Sequence, residues 1–317
     1  MLRPRLLIDT DPGIDDALAI LMAHEHAEIV ALTIAGGNVG LAHTTRNALK
    51  LLDAIDADVP VFPGSAAPLV FGAPHAAFVH GEDGFGDTGC FAPSRLPEEE
   101  HAAQAIVRLA RERPGELTLV ALAPLTNLAL ALRLDPSLPD RIARLVVMGG
   151  AATGRGNTDR VPAEFNIGFD PEAAHVVFSS WPMFDLVDWE ACLRHPLDFE
   201  RFETMLAGGD ERARFYTAIS RKARAFNRAR GRPGVIAADA LAMAVALDPA
   251  IVTASGTHHV AVETAGENTR GATVVDWEDR LGQPPNARVV VSVDAERFER
   301  RAAEALGAGR TPGTRPV

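Results

Sequence analysis

Short apolar runs alternate with longer helical stretches through the first 190 residues, and that alternation limits the chain to one fold class. The runs at 6–8, 29–35, 117–122, 145–148 and 183–187 are rich in Leu, Ile and Val, and each ends in a polar or Gly-containing turn. They read as buried strands. Between them, 15–26, 42–54, 98–111, 125–132 and 171–179 read as helices. A β-α-β-α rhythm predicts an open α/β fold, with a mostly parallel sheet, helices on both faces and a Rossmann-like core. Such sheets bind ligands at the carboxyl ends of their strands, where this chain's polar residues cluster.

Beyond residue 196 the chain turns helical and basic up to about 235, which reads as a helical insertion, with 221–232 expected as a solvated helix face. A helix at 237–247, late strands at 260–263, 272–276 and 287–293, and a closing helix at 295–306 follow. No repeat or long linker divides the sequence, so one domain over 1–306 with a flexible Gly/Pro/Thr-rich tail at 307–317 is expected. Lys+Arg 31 against Asp+Glu 42 gives a net charge of -11, which disfavours nucleic acid and anionic membranes as partners. No 18-residue apolar stretch predicts a membrane span. Cys90 and Cys192 are far apart, which fits a reducing, cytoplasmic setting.

The strongest local signal is Asp9-Thr-Asp11-Pro-Gly-Ile-Asp15-Asp16, with four acids packed around a Pro-Gly turn after the first strand. A helix N-terminus favours one negative charge by ~1 kcal/mol. Two carboxylates ~5 Å apart repel by roughly 3 kcal/mol at an effective dielectric near 20, so repulsion wins. A divalent cation resolves the conflict, and an all-oxygen set points to Ca²⁺ or Mg²⁺. Asp239, in the apolar stretch 235–247, is a second candidate ligand, because an unpaired buried acid costs several kcal/mol. A phosphate-cradling loop is excluded, since neither a Lys nor a Gly-rich run accompanies the turn. An alternative is that Asp9-Thr-Asp11 resembles the nucleophile loop of haloacid-dehalogenase-type Mg²⁺ phosphatases. Gly13 departs from that pattern, and the lysines are only Lys50 and Lys222.

Asp9-Thr-Asp-Pro-Gly-Ile-Asp-Asp-Ala resembles the N-terminal signature of the nucleoside hydrolases, the inosine–uridine-preferring N-ribohydrolases. The resemblance continues through Gly37-Asn38, His80-Gly-Glu-Asp-Gly-Phe-Gly86, Ala123-Pro-Leu-Thr-Asn127, Met148-Gly-Gly, Gly154-Arg-Gly-Asn157, Glu164-Phe-Asn166 and Arg280-Leu-Gly-Gln. The ordered set spans nearly the whole chain.

That resemblance implies the nucleoside hydrolase fold and Ca²⁺-dependent hydrolysis of the N-glycosidic bond of ribonucleosides. The products it implies are ribose and free base, as in purine and pyrimidine salvage, and the assembly it implies is a homodimer or homotetramer. It implies Asp11, Asp16, Asp239 and the backbone carbonyl of Leu122 as Ca²⁺ ligands, and Asp11 as the general base that deprotonates the attacking water. Asp15, Asn38 and Asn166 would hold the ribose 2′- and 3′-hydroxyls, Glu164 and Asn157 the 5′-hydroxyl, and Met148 would line the sugar pocket. The chemistry agrees: a ribosyl transition state has oxocarbenium character, which a carboxylate-rich pocket stabilises.

This sequence departs from the family pattern in three places. Ala238 precedes Asp239 where family branches carry His or Trp, the 157–164 segment is one residue longer, and Asp188-Trp189-Glu190 replaces the common Asp-Val-Thr. His80, whose imidazole is a side-chain type suited to proton transfer near neutral pH, is therefore the expected contact or proton donor to the departing base. The three tryptophans are expected to pack, with base stacking by Trp189 as a variant. Ala238 also motivates a second expectation, a ribose- or nucleoside-binding protein with weakened turnover.

Overall fold

Two strands laid down outward from a central first strand, and three more laid down on its other side, place a crevice in the middle of the sheet. The computed structural model describes residues 3–72, 81–89 and 91–308. Strands β1 (Arg5–Thr10), β2 (Glu28–Ile34) and β3 (Val61–Pro63) run one way across the sheet. Strands β4 (Leu117–Ala121), β5 (Arg144–Met148) and β6 (Phe184–Val187) run the other way from β1. All six are parallel, in the order 3-2-1-4-5-6, the dinucleotide-fold order, with a topological switch point at β1/β4. Past β6, β11 (Ala287–Val293) adds in parallel. β9 (Val252–Val262) and then β10 (Thr273–Asp276), which forms the edge, complete a nine-stranded sheet by antiparallel pairing.

The two-residue strand period sorts the core into two layers. Leu6, Ile8, Leu32 and Val120 face the helices Ile14–His26 and Ala238–Leu247. Leu7, Ala31, Leu119 and Val147 face Ala102–Glu112, Thr126–Leu134 and Pro171–Ser180. Helices therefore cover both faces, as the alternation predicts.

Several boundaries differ from the sequence reading. Helix Ala102–Glu112 begins four residues later than expected because the His101 ring accepts a hydrogen bond from Ala103 N, 3.1 Å, as its N-cap. The short β3 carries too few residues to show a period. β9 starts at Val252 rather than near 260, because its first half is solvent-facing Thr, Ser and His. The basic segment forms two helices, Phe199–Gly208 and Glu211–Ala229, each N-capped by an aspartate, Asp198 and Asp210. A two-stranded antiparallel pair, β7 (Leu197–Asp198) with β8 (Gly234–Val235), closes its base. Among the described residues no helix is long and apolar enough to cross a membrane.

Candidate active site

The acidic loop leaves β1 at the switch point, where the strand order opens a crevice. Helix Ile14–His26 then packs along helix Ala238–Leu247, and both start at the same place. Asp15 and Asp16 from the first turn of one meet Asp239 from the first turn of the other, with one carboxylate oxygen of each within 4.8 Å of the other two. Two positive helix ends aimed at one point offset part of the acids' repulsion.

Side chains and backbone then fix each acid. Thr10 Oγ1 donates to Asp16 Oδ1 at 2.5 Å, and Gly13 N and Asn38 Nδ2 donate to its Oδ2 at 2.9 and 3.1 Å. Asn38 N donates to Asp11 Oδ2 at 2.6 Å. Gly37 has no room for a side chain here: a Cβ would lie 2.1 Å from Asp11 Oδ2. Behind the loop, buried Asp9 accepts from Thr33 Oγ1 and Asn127 Nδ2 at 2.7 and 2.9 Å. Asn127 also holds Ile34 O and Ser65 N, so it ties the ends of β1 and β2 to the following loop.

Asp11 Oδ1 is buried and has no hydrogen-bond partner. Burial and the Asp16 and Asp15 charges push the Asp11 carboxyl well above the carboxylate range. Burial and the charges of Asp15, Asp16 and Asp11 do the same to Asp239. Burial raises Asp15 to about 6 and Asp9 to about 7. An orphaned acceptor among converging carboxylates fits a hard divalent cation, whose charge would reverse these shifts. Asp15, expected at the sugar, belongs geometrically to the same oxygen cluster as Asp16 and Asp239.

The opposite wall comes from β4 and β5. Leu122 N donates to Asp9 O at 2.8 Å, which sets the carbonyl of Leu122 beside the acidic loop. Asn166 Nδ2 donates to Leu122 O at 2.8 Å and Met148 O at 3.3 Å. Glu164, N-cap of the short helix Phe165–Phe169, accepts from Gly150 N, Asn166 N and Ile167 N at 2.9, 3.0 and 3.2 Å. Burial nevertheless raises its carboxyl to about 7. The extra residue of the 157–164 segment is absorbed in a tight loop, where Gly156 N meets Val161 O and Asn157 N meets Ala163 O. Asn157 stays beside Glu164, its Oδ1 accepting from Phe165 N at 2.8 Å.

Asp11, Asp15, Asn38, Leu122, Met148, Asn157, Glu164, Asn166 and Asp239 all line one cavity of about 760 Å³. Buried Asp16 braces it from behind. The amide hydrogens of Asn38 and Asn166 are spent on backbone and Asp16 acceptors, so these residues brace the walls as well as face the cavity. His80 lies outside the described residues. Its neighbours Gly81–Gly86 pack beside the acidic turn, where Asn47 Nδ2 bridges Pro12 O and Asp83 O.

The remaining wall corrects the reading of 221–232 as a solvated face. Tyr216, Ala223, Phe226, Asn227, Arg230 and Arg232 line the cavity with Trp189 and Ala238. No local motif marks them. The one available signal was the aromatic residues punctuating that basic helix.

Comparison with known proteins decides the family. The model of the inosine-uridine preferring nucleoside hydrolases matches residues 6–300. The chain belongs to this family. It is 40% identical over 304 residues to the non-specific ribonucleoside hydrolase RihC of Salmonella enteritidis, covering 94% of this chain and 96% of that protein. It is 39% identical to its counterpart from Klebsiella pneumoniae, covering 96% and 99%. Among solved structures, an inosine-guanosine nucleoside hydrolase superposes with TM-score 0.90 at 34% identity, covering 98% of this chain and 100% of that one. A plant nucleoside hydrolase gives 0.90 at 33%, covering 96% and 99%. As a member of the nucleoside hydrolases this chain is an N-glycosyl hydrolase, which sets aside the phosphatase alternative.

Proposed function

We propose that this nucleoside hydrolase is Ca²⁺-dependent and splits ribonucleosides into ribose and free base, with Asp11 as general base. The unpartnered, buried Asp11 Oδ1, in the same cavity as the sugar-facing residues, is the observation that carries the reading. Asp11, Asp16, Asp239 and the carbonyl of Leu122 would hold the ion. When bound, it supplies Lewis-acid activation of water and positive charge at the acidic floor.

The chain's own residues do the rest. Asp11, with its Oδ1 facing no other partner, takes the proton of the water that attacks C1′. The acidic floor stabilises positive charge developing on the sugar ring. Asp15, Asn38 and Asn166 orient the 2′- and 3′-hydroxyls, Glu164 and Asn157 the 5′-hydroxyl, and Met148 packs against the ring, which confines the sugar to one attack geometry. No nucleophilic side chain takes part, so the anomeric centre inverts. His80 is assigned a contact with the departing base.

The test is purified protein with Ca²⁺ and a panel of purine and pyrimidine nucleosides, read as released reducing sugar before and after chelation. Chelator-sensitive release supports the reading. Binding of nucleosides without sugar release would instead favour a binding protein on the same fold.

A further inference from the structure

The floor of the cavity is acidic, but its rim is not. Arg230 and Arg232 both line the cavity, and among the described residues neither forms an ion pair. Of the five arginines on the preceding helix Glu211–Ala229, Arg212, Arg214, Arg224 and Arg228 have carboxylate partners, while exposed Arg221 has none among the described residues and does not line the cavity. The Arg232 guanidinium is also held in place. It lies 5.2 Å from the centre of the Trp189 ring and 5.9 Å from that of Phe226, and Nη1 donates to Asn227 Oδ1 at 2.9 Å. Asn227 is buried and anchored in turn through Nδ2 to Ala223 O at 2.8 Å. A cation fixed by an aromatic face and a buried amide, with no counter-ion, is arranged to meet negative charge from outside the chain.

Ala238, in the same cavity, has no proton to give. Cleaving the C1′–N bond leaves its electron pair on the base. We infer that Arg232 stabilises this departing base as an anion, through hydrogen bonds to its ring nitrogens or carbonyl oxygens, and is a catalytic residue of this enzyme. Trp189 and Asn227 act as positioning residues through it. The step balances as follows: water oxygen bonds C1′, the water proton goes to Asp11, the C1′–N pair goes to the base, and solvent later protonates the released anion. Bases that carry negative charge readily are the favoured leaving groups. The inference rests on the hydrolase reading above.

The experiment compares inosine and uridine with p-nitrophenyl riboside, whose leaving group is a stable anion needing no help. In Arg232→Gln, kcat on the nucleosides should fall by ~10²-fold, the usual cost of removing one preorganised donor to a developing anion. On p-nitrophenyl riboside it should change by less than about threefold, since no such donor is needed there. Arg232→Lys keeps the charge without the planar fork, so it should lose less on the nucleosides and leave the p-nitrophenyl substrate alone. If Arg232→Gln fails to fold, the lysine variant carries the comparison. An equal fall on both substrate classes, or no fall on either, overturns the role of Arg232. Wild-type protein that releases ribose from none of these compounds overturns the hydrolase reading, and this inference with it.

Discussion

Replacing Asp239 by asparagine separates the cost of the acidic cluster from its use. Asp239 is almost fully buried, and its carboxylate approaches those of Asp15 and Asp16 within 4.8 Å. At that spacing one ionised pair costs about 3 kcal/mol at an effective dielectric near 20. Asparagine has the same shape and can donate to Asp16, so the cation-free protein should become more stable. The gain is at most about 3 kcal/mol, because proton uptake by the raised carboxyls already relieves part of the repulsion. Unfolding entropy of roughly 2 cal/mol/K per residue makes this at most about 5 °C in Tm.

With Ca²⁺ the order reverses. Wild type should gain about 3 kcal/mol at a hundredfold excess of ion over Kd, while Asp239→Asn gains little and loses activity. Calcium binding to wild type should also release protons, since the raised carboxyls must ionise to bind it. The assay is thermal unfolding at pH 7.5 in chelator and in graded CaCl₂, with calorimetric proton counting in two buffers. The reasoning is refuted if the variant is no more stable than wild type in chelator and Ca²⁺ stabilises both equally.

Two further predictions follow from the surrounding geometry. In Gly37→Ala the new Cβ would lie 2.1 Å from Asp11 Oδ2, so Asp11 must shift. Steady-state kinetics should show a ~10²-fold loss in kcat/KM, with stability lowered by only about 1–3 kcal/mol. Glu164, raised by burial to about 7 in the fold from an ordinary 4.5, holds its proton longer folded than unfolded. Its stabilising contribution is therefore full below pH 4.5 and is lost as pH rises to 7, by about 3 kcal/mol. Glu164→Gln should flatten that slope in urea titrations between pH 5 and 8, although an amide facing three N–H donors lowers its stability overall. An unchanged slope would mean that Glu164 is ionised throughout.

The architecture was legible because period and punctuation act locally. Leu6–Ile8 and the Pro12-Gly13 turn announce a strand, a sharp exit and a helix without reference to anything distant. β9 was shortened because half of it faces solvent, where no core selects apolar residues. The acids of the first loop advertise themselves by crowding, and the repulsion among them is itself the evidence for a cation.

Other features belong to the folded chain alone. Asp239 stands more than two hundred residues from Asp16, and only the packing of their two helices makes them neighbours. Arg232 reads as one more charge in a basic run until helix Glu211–Ala229 folds back and Asn227 and Trp189 turn it onto the cavity rim. Local sequence encodes backbone preferences and which side faces water. Where side chains from different segments converge is decided by long-range packing, which no window of neighbouring residues contains.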